Sequence, residues 1–146
     1  MEAPISLGEV LLRMTLAAVL GAMIGWDREA QNKAAGVRTH MLVSLGAAVF
    51  ILATIEMVQF TGAEGHKGAD PTRVVEGIVT GIGFLGAGQI IQSRATVSGV
   101  TTAAGIWVVG SVGVACGGGY YPLAVLTTVF VLVILRLIGA VTARFS

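Results

Sequence analysis

The sequence predicts an all-α polytopic membrane protein: one domain over residues 1–146, built as a bundle of five transmembrane helices with glycine-rich packing. Three observations carry that expectation. Apolar residues make up 55% of the chain and charged residues only 12%, where soluble domains carry about 25% charged residues. Mean hydropathy is +0.87. Glycine occupies 21 of the 146 positions, about twice its usual share. The same numbers exclude a soluble enzyme and a disordered tail. Nine Lys and Arg against eight Asp and Glu leave no basic excess to neutralise phosphates, which excludes a nucleic-acid binder. One cysteine can neither close an internal disulfide nor build a thiolate metal site.

Five apolar segments, at residues 5–25, 39–60, 73–91, 99–116 and 120–141, each approach the ~20 residues a helix needs to cross the hydrocarbon core. The first carries Glu2 and Glu9 and no basic residue before Arg13, unlike the basic start of a secretory signal. It therefore reads as a true span. Spans three and four are rich in glycine and could be tilted or broken. Ahead of span three, Asp70 suits a helix N-cap and Pro71 the first turn. Barrel strands do not fit, because the runs are continuous and too long.

Lys and Arg in short loops set orientation. Arg28, Lys33, Arg38, Arg94 and Arg144 fall on one side, and Lys67 and Arg73 on the other. This bias puts the N-terminus outside and the C-terminus in the cytoplasm. Trp26, Tyr120 and Tyr121 fall at span ends, where interfacial aromatics belong.

In a bilayer, helices associate through close contact and buried polar bonds, and small residues on one stripe permit the approach. Span one offers Gly21 and Gly25 in register with Arg13 and Ala17. Span three offers Gly77, Gly81 and Gly88, with Gly83 and Gly86 nearby, and span four offers Gly110 and Gly113. Spans one, three and four are thus expected to form the tight core, with span five peripheral. Residues 81–86 match G-x-G-x-x-G by letters. A dinucleotide site needs a preceding strand and a βαβ unit, whereas this segment lies inside an apolar span.

Several segments together have a familiar look: Gly25-Trp26-Asp27-Arg28-Glu29 ending span one, Gly36-Val37-Arg38-Thr39-His40 opening span two, and Asp70-Pro71-Thr72-Arg73 before the glycine-rich run 81–88. Gly99-Val100-Thr101-Thr102-Ala103-Ala104 then opens span four. In this order, over residues 5–140, the chain resembles the membrane domain of the MgtC/SapB family. The resemblance implies a five-helix protein of the bacterial inner membrane, linked to growth at low magnesium and survival inside host cells. It also implies action on other membrane proteins, including the F-type ATP synthase, with transport suggested as a further role. Longer members carry a cytoplasmic C-terminal domain, and the sequence stopping at Ser146 is expected to lack it.

Ionisable groups within membrane segments are functional candidates by default. Topology sorts them into two layers. The outer layer holds Glu9, Arg13, Asp70, Arg73 and Glu76, with Glu56 suited to snorkelling at the interface. Glu9 and Arg13 either pair at i,i+4 or line a polar route with Glu76. Arg13 is expected to point into the bundle towards Glu76 or Asp70. Carboxylates are the ligands Mg²⁺ takes, and it needs only one or two. Asp70, Glu76 and Glu9 are therefore the metal candidates, Asp70 and Glu76 foremost, against a plain cap and ion-pair network. The inner layer holds Asp27, Arg28, Glu29 and Arg38 with Thr39 and His40, then Arg94, Thr101 and Thr102. Helix N-termini favour anions, so either an anionic headgroup or partner carboxylate binds there, or Arg28 and Arg38 pair with Asp27 and Glu29. His40 and His66 fall on opposite sides and form no metal pair, and Cys116 reads as a packing residue. No catalytic constellation is present, and the protein is expected not to be an enzyme. The expected partners are the lipid bilayer, a second copy in a dimer and other membrane proteins. Two functions compete: a regulatory interaction protein, and an oligomeric transporter or cation-responsive channel.

Overall fold

The computed structural model describes residues 5–63, 70–92 and 96–141. The chain forms α1 (Leu7–Ala30), α2 (Val37–Ala63) and α3 (Pro71–Gln89), then a short antiparallel pair, β1 (Ile91–Gln92) with β2 (Val97–Ser98). After these come α4 (Val100–Gly117) and α5 (Tyr121–Val133), which continues through one π-helical turn, Ile134–Ile138. Four of the five helices are long and apolar enough to cross a membrane: Leu7–Ala30, Val37–Phe60, Val100–Gly117 and Tyr121–Val141. α3 is not among them. Its glycines, together with Arg73 and Glu76, dilute its hydropathy below that of a span.

Local chemistry sets the helix starts. The Ser6 hydroxyl accepts the Glu9 N–H at 3.2 Å and caps α1. Asp70 Oδ1 accepts both the Thr72 N–H at 2.9 Å and the Thr72 hydroxyl at 2.7 Å, and Pro71 sits in the first turn of α3. These bonds, the side-chain one first, hold the Asp70 carboxyl below its ordinary value. A carboxylate with a depressed pKa stabilises the fold above its unfolded pKa of about 3.9. That contribution is lost as pH falls through the lower folded value. Acid titration is therefore expected to fray the α3 start in the wild type. In Asp70→Asn this acid step should be missing, as read by amide exchange at Thr72 and Arg73. An identical acid response in the variant would contradict the assignment.

α4 is the centre of the bundle. Of its apolar window 61% is buried, against 11% for the α5 segment. It lies against α1, α2, α3 and α5. One buried cluster joins Leu20 and Ile24 of α1, Ala48 of α2, and Val109, Val112 and Cys116 of α4. A second joins Ala47 and Ile51 of α2 with Ile78 and Ile82 of α3 and Ile106 of α4.

Backbone approach at glycine defines the crossings. A Cβ at Gly21 would lie 2.7 Å from His40 O, and one at Gly25 2.6 Å from Val37 Cα. On α4, a Cβ at Gly113 would lie 2.1 Å from Ser44 O, and one at Gly117 2.6 Å from Ala48 O. Gly110 faces Ile82, and Gly86 meets the Ala103 carbonyl at ordinary contact distance. The tight core is thus α1, α2 and α4, not spans one, three and four as the glycine count suggested. Ser44, Ala47 and Ala48 give α2 its own small face, so α2 accepts glycines from both sides. α3 flanks the core through the buried Ile78, Ile82 and Gly86, with Val74 and Val75 packed beside them. Gly77, Gly81, Gly83 and Gly88, expected in helix packing, face open space with nothing within 4 Å of a Cβ.

Candidate functional site

At the end where α1 begins, α1, α4 and α5 meet around the Glu9–Arg13 pair. Arg13 Nε donates to Glu9 Oε1 at 2.9 Å, one turn away on the same helix. The Tyr121 hydroxyl, from the start of α5, donates to the same oxygen. Arg13 Nη1 donates to the Gly117 carbonyl at 2.8 Å, one of the last carbonyls of α4, which have no partner within the helix. Gly119, at φ +78, adopts the left-handed conformation favouring glycine. A Cβ there would come 3.0 Å from Arg13 Nη2. Arg13 therefore closes the α4–α5 turn with its fork of donors.

Of the expected outer cluster, the structure joins Glu9 and Arg13 to each other. Asp70, Arg73 and Glu76 lie exposed on α3, and the Asp70 carboxylate is engaged at the helix cap. Arg13 takes neither Asp70 nor Glu76 as its ion-pair partner. Among the described residues no group of three His, Cys, Asp or Glu side chains gathers to hold a metal ion. Of the two foremost Mg²⁺ candidates, Asp70 is engaged as the α3 cap and Glu76 lies exposed further along the helix.

The opposite end is more deeply buried. Asp27 is 4% exposed. Its carboxylate accepts from Gln31 Nε2 at 2.7 Å and from Arg136 Nε at 2.7 Å, which ties the end of α1 to the π-helical turn of α5. Glu29 accepts the Val37 N–H at 2.8 Å and so fills the N-terminus of α2 with a carboxylate from the chain itself. Arg28, 3% exposed, reaches Thr102 Oγ1 at 3.5 Å. His40 is fully buried, and its Nδ1 lies 2.8 Å from the Gly36 carbonyl. A carbonyl only accepts, so Nδ1 carries the proton and Nε2 is left as an acceptor. Thr39 is half-buried, whereas Arg38 and Thr101 are exposed. Neither Arg28 nor Arg38 pairs with Asp27 or Glu29, because those acids are taken by Arg136, Gln31 and the α2 amide. Arg94 lies outside the described residues, as do His66, Lys67 and Arg144.

Between α2 and α3 runs an apolar cleft of about 630 Å³, whose walls include Gly46, Gly77 and Gly81. None of these three glycines has a neighbour within 4 Å of a Cβ.

This five-helix order, with charged pairs at both ends, can be set beside known proteins. Residues 14–144 match the MgtC family model. The chain belongs to the MgtC family. It is 37% identical over 136 residues, 93% of its length, to the protein named "Putative magnesium transporter YhiD" of Escherichia coli strain K12, covering 63% of that relative. It is 41% identical over 118 residues, 81% of its length, to protein MgtC of Brucella abortus, covering 46% of that protein. The chain therefore spans about half to two thirds of the length of the relatives it matches. No solved structure matches it.

Within this MgtC-family chain, sequence reasoning passed over two polar residues. Arg136 is the only charged residue between Tyr121 and Val141, and an ion inside an apolar run is a signal on its own. Its partner is Asp27, which it reaches from within the π-helical turn. Tyr121 sits at a span end as an interfacial aromatic does, and its hydroxyl completes the Glu9 site.

Proposed function

We propose that this MgtC-family chain is a regulatory protein of the bacterial inner membrane, responding to magnesium limitation by docking other membrane proteins, and not an enzyme. In this reading all five helices lie in the membrane, with the N-terminus outside and the C-terminus in the cytoplasm. The observation that carries it is the open apolar α2–α3 cleft, into which Gly46, Gly77 and Gly81 open with nothing within 4 Å of a Cβ. The ion pairs of the bundle, by contrast, are spent on its own helix ends. A transmembrane helix of a partner fits such a cleft, because small residues let backbones approach. The F-type ATP synthase, implied by family resemblance, is one such partner.

The test is Gly81→Leu in cells grown at low magnesium. A Cβ at Gly81 meets nothing within 4 Å, so the leucine side chain enters the open cleft without a backbone clash. Loss of low-magnesium growth with an unchanged melting temperature is expected, and wild-type growth would contradict the reading. A second reading is an oligomeric transporter. Glu76 is exposed on α3 beside Gly77, so two copies in a dimer would place a carboxylate at their joint, and the YhiD relative bears a transporter's name.

A further inference from the structure

Helix N-termini in this bundle are satisfied in different ways. Ser6 caps α1, the Glu29 carboxylate fills the start of α2, and Asp70 caps α3. α4 begins at Gly99, which brings no capping oxygen. Glycine is required there, since φ is +87 and a Cβ would lie 2.0 Å from Gln89 O. The first-turn amides of an 18-residue helix are therefore left with the positive end of its dipole.

A second, independent feature points at the same turn. Arg28 is 97% buried, and its guanidinium extends to Thr102, the third residue of α4, through a bond of 3.5 Å. Its Nε–H is buried and has no acceptor among the described residues. The neighbouring carboxylates are committed: Asp27 to Arg136 and Gln31, Glu29 to the Val37 amide. Asp27 lies close enough to act on the Arg28 charge but makes no hydrogen bond to it, so the buried guanidinium keeps an unmet donor, which is unfavourable, and its planar fork matches phosphate-type oxyanions. His40 Nε2 is also buried without a partner, but as an acceptor it suits a water rather than an anion.

We propose that Arg28, the Thr102 hydroxyl and the first-turn amides of α4 form a binding site for a phosphate-type oxyanion. The α4 amides supply dipole and donors, and Arg28 supplies the charge. The phosphate is carried either by an anionic lipid headgroup or by a free phosphate.

The experiment uses the full chain in a maltoside detergent, which contains no phosphate, and follows thermal unfolding. In one arm inorganic phosphate is titrated against chloride at matched ionic strength. In the other, phosphatidylglycerol is titrated against diacylglycerol. Saturable stabilisation is expected in one arm, and that arm identifies the source. Arg28→Gln should weaken the apparent affinity by about tenfold, as loss of a charged hydrogen-bond donor does. Thr102→Val should weaken it in the same direction, and it decides the matter if Arg28→Gln does not fold. Lys33→Gln, an exposed loop cation, should leave it unchanged. No stabilisation in either arm overturns the proposal, as does undiminished affinity in the Arg28 and Thr102 variants.

Discussion

Gly113→Ala is expected to destabilise the bundle by about 3 kcal/mol, the upper part of the range for overpacking a filled site. The new Cβ would lie 2.1 Å from the Ser44 carbonyl and 2.9 Å from Ala47 Cβ. Backbone, not a flexible side-chain tip, stands in the way, so α2 and α4 must separate. Separation would also loosen the neighbouring crossing at Gly117, four residues on along the same face. The matched control is Gly81→Ala, where nothing lies within 4 Å. There the helix-propensity gain of about 1 kcal/mol for Ala over Gly acts alone, and stability should hold or rise. Melting temperatures of the two variants in detergent check the contrast. Equal effects would mean that α4 does not contact α2 at Gly113.

The second large effect is expected at Arg136. Arg136→Gln should cost about 3 kcal/mol, the low end for breaking a buried pair. Asp27 has a side chain only 5% exposed, whereas that of Arg136 is 68% exposed. Removing the cation therefore leaves the carboxylate of Asp27 in a low-dielectric site with Gln31 as its remaining donor. Replacing both members, Asp27→Asn with Arg136→Gln, should recover most of the loss, since the uncompensated charge is then gone. A double-mutant cycle measures this coupling. An additive result would show that the two residues do not interact.

The helices were legible because membrane spans announce themselves by length and continuity, and the observed ends fall within a few residues of the apolar runs except at α1. That helix continues past Gly25 to Ala30 because Asp27 and Arg28 find partners on α5 and α4 rather than water. Glycine periodicity located faces but not what faces them. The stripes of α1 and α4 meet α2, whose Ser44, Ala47 and Ala48 are small without being glycine. The Gly77, Gly81 and Gly88 stripe of α3 has no atom of the described residues within 4 Å of a Cβ. The Glu9–Arg13 pair was visible at i,i+4 spacing. The Gly117 carbonyl and Tyr121 hydroxyl that complete it come from more than a hundred residues away. The same holds for Asp27 and Arg136, separated by 109 positions. Local spacing cannot reveal a partner that only the bundle's topology brings near.

The two readings of function divide on what the outer carboxylates do. In the docking account, Glu9 is committed to Arg13 and Tyr121, Asp70 to the α3 cap, and Glu76 to no cation site. Magnesium flux into liposomes bearing the purified chain, read by an internal dye under a steep gradient, is the direct measurement. The account predicts flux no greater than in empty liposomes. Flux through the wild type that disappears in Glu76→Gln would contradict it.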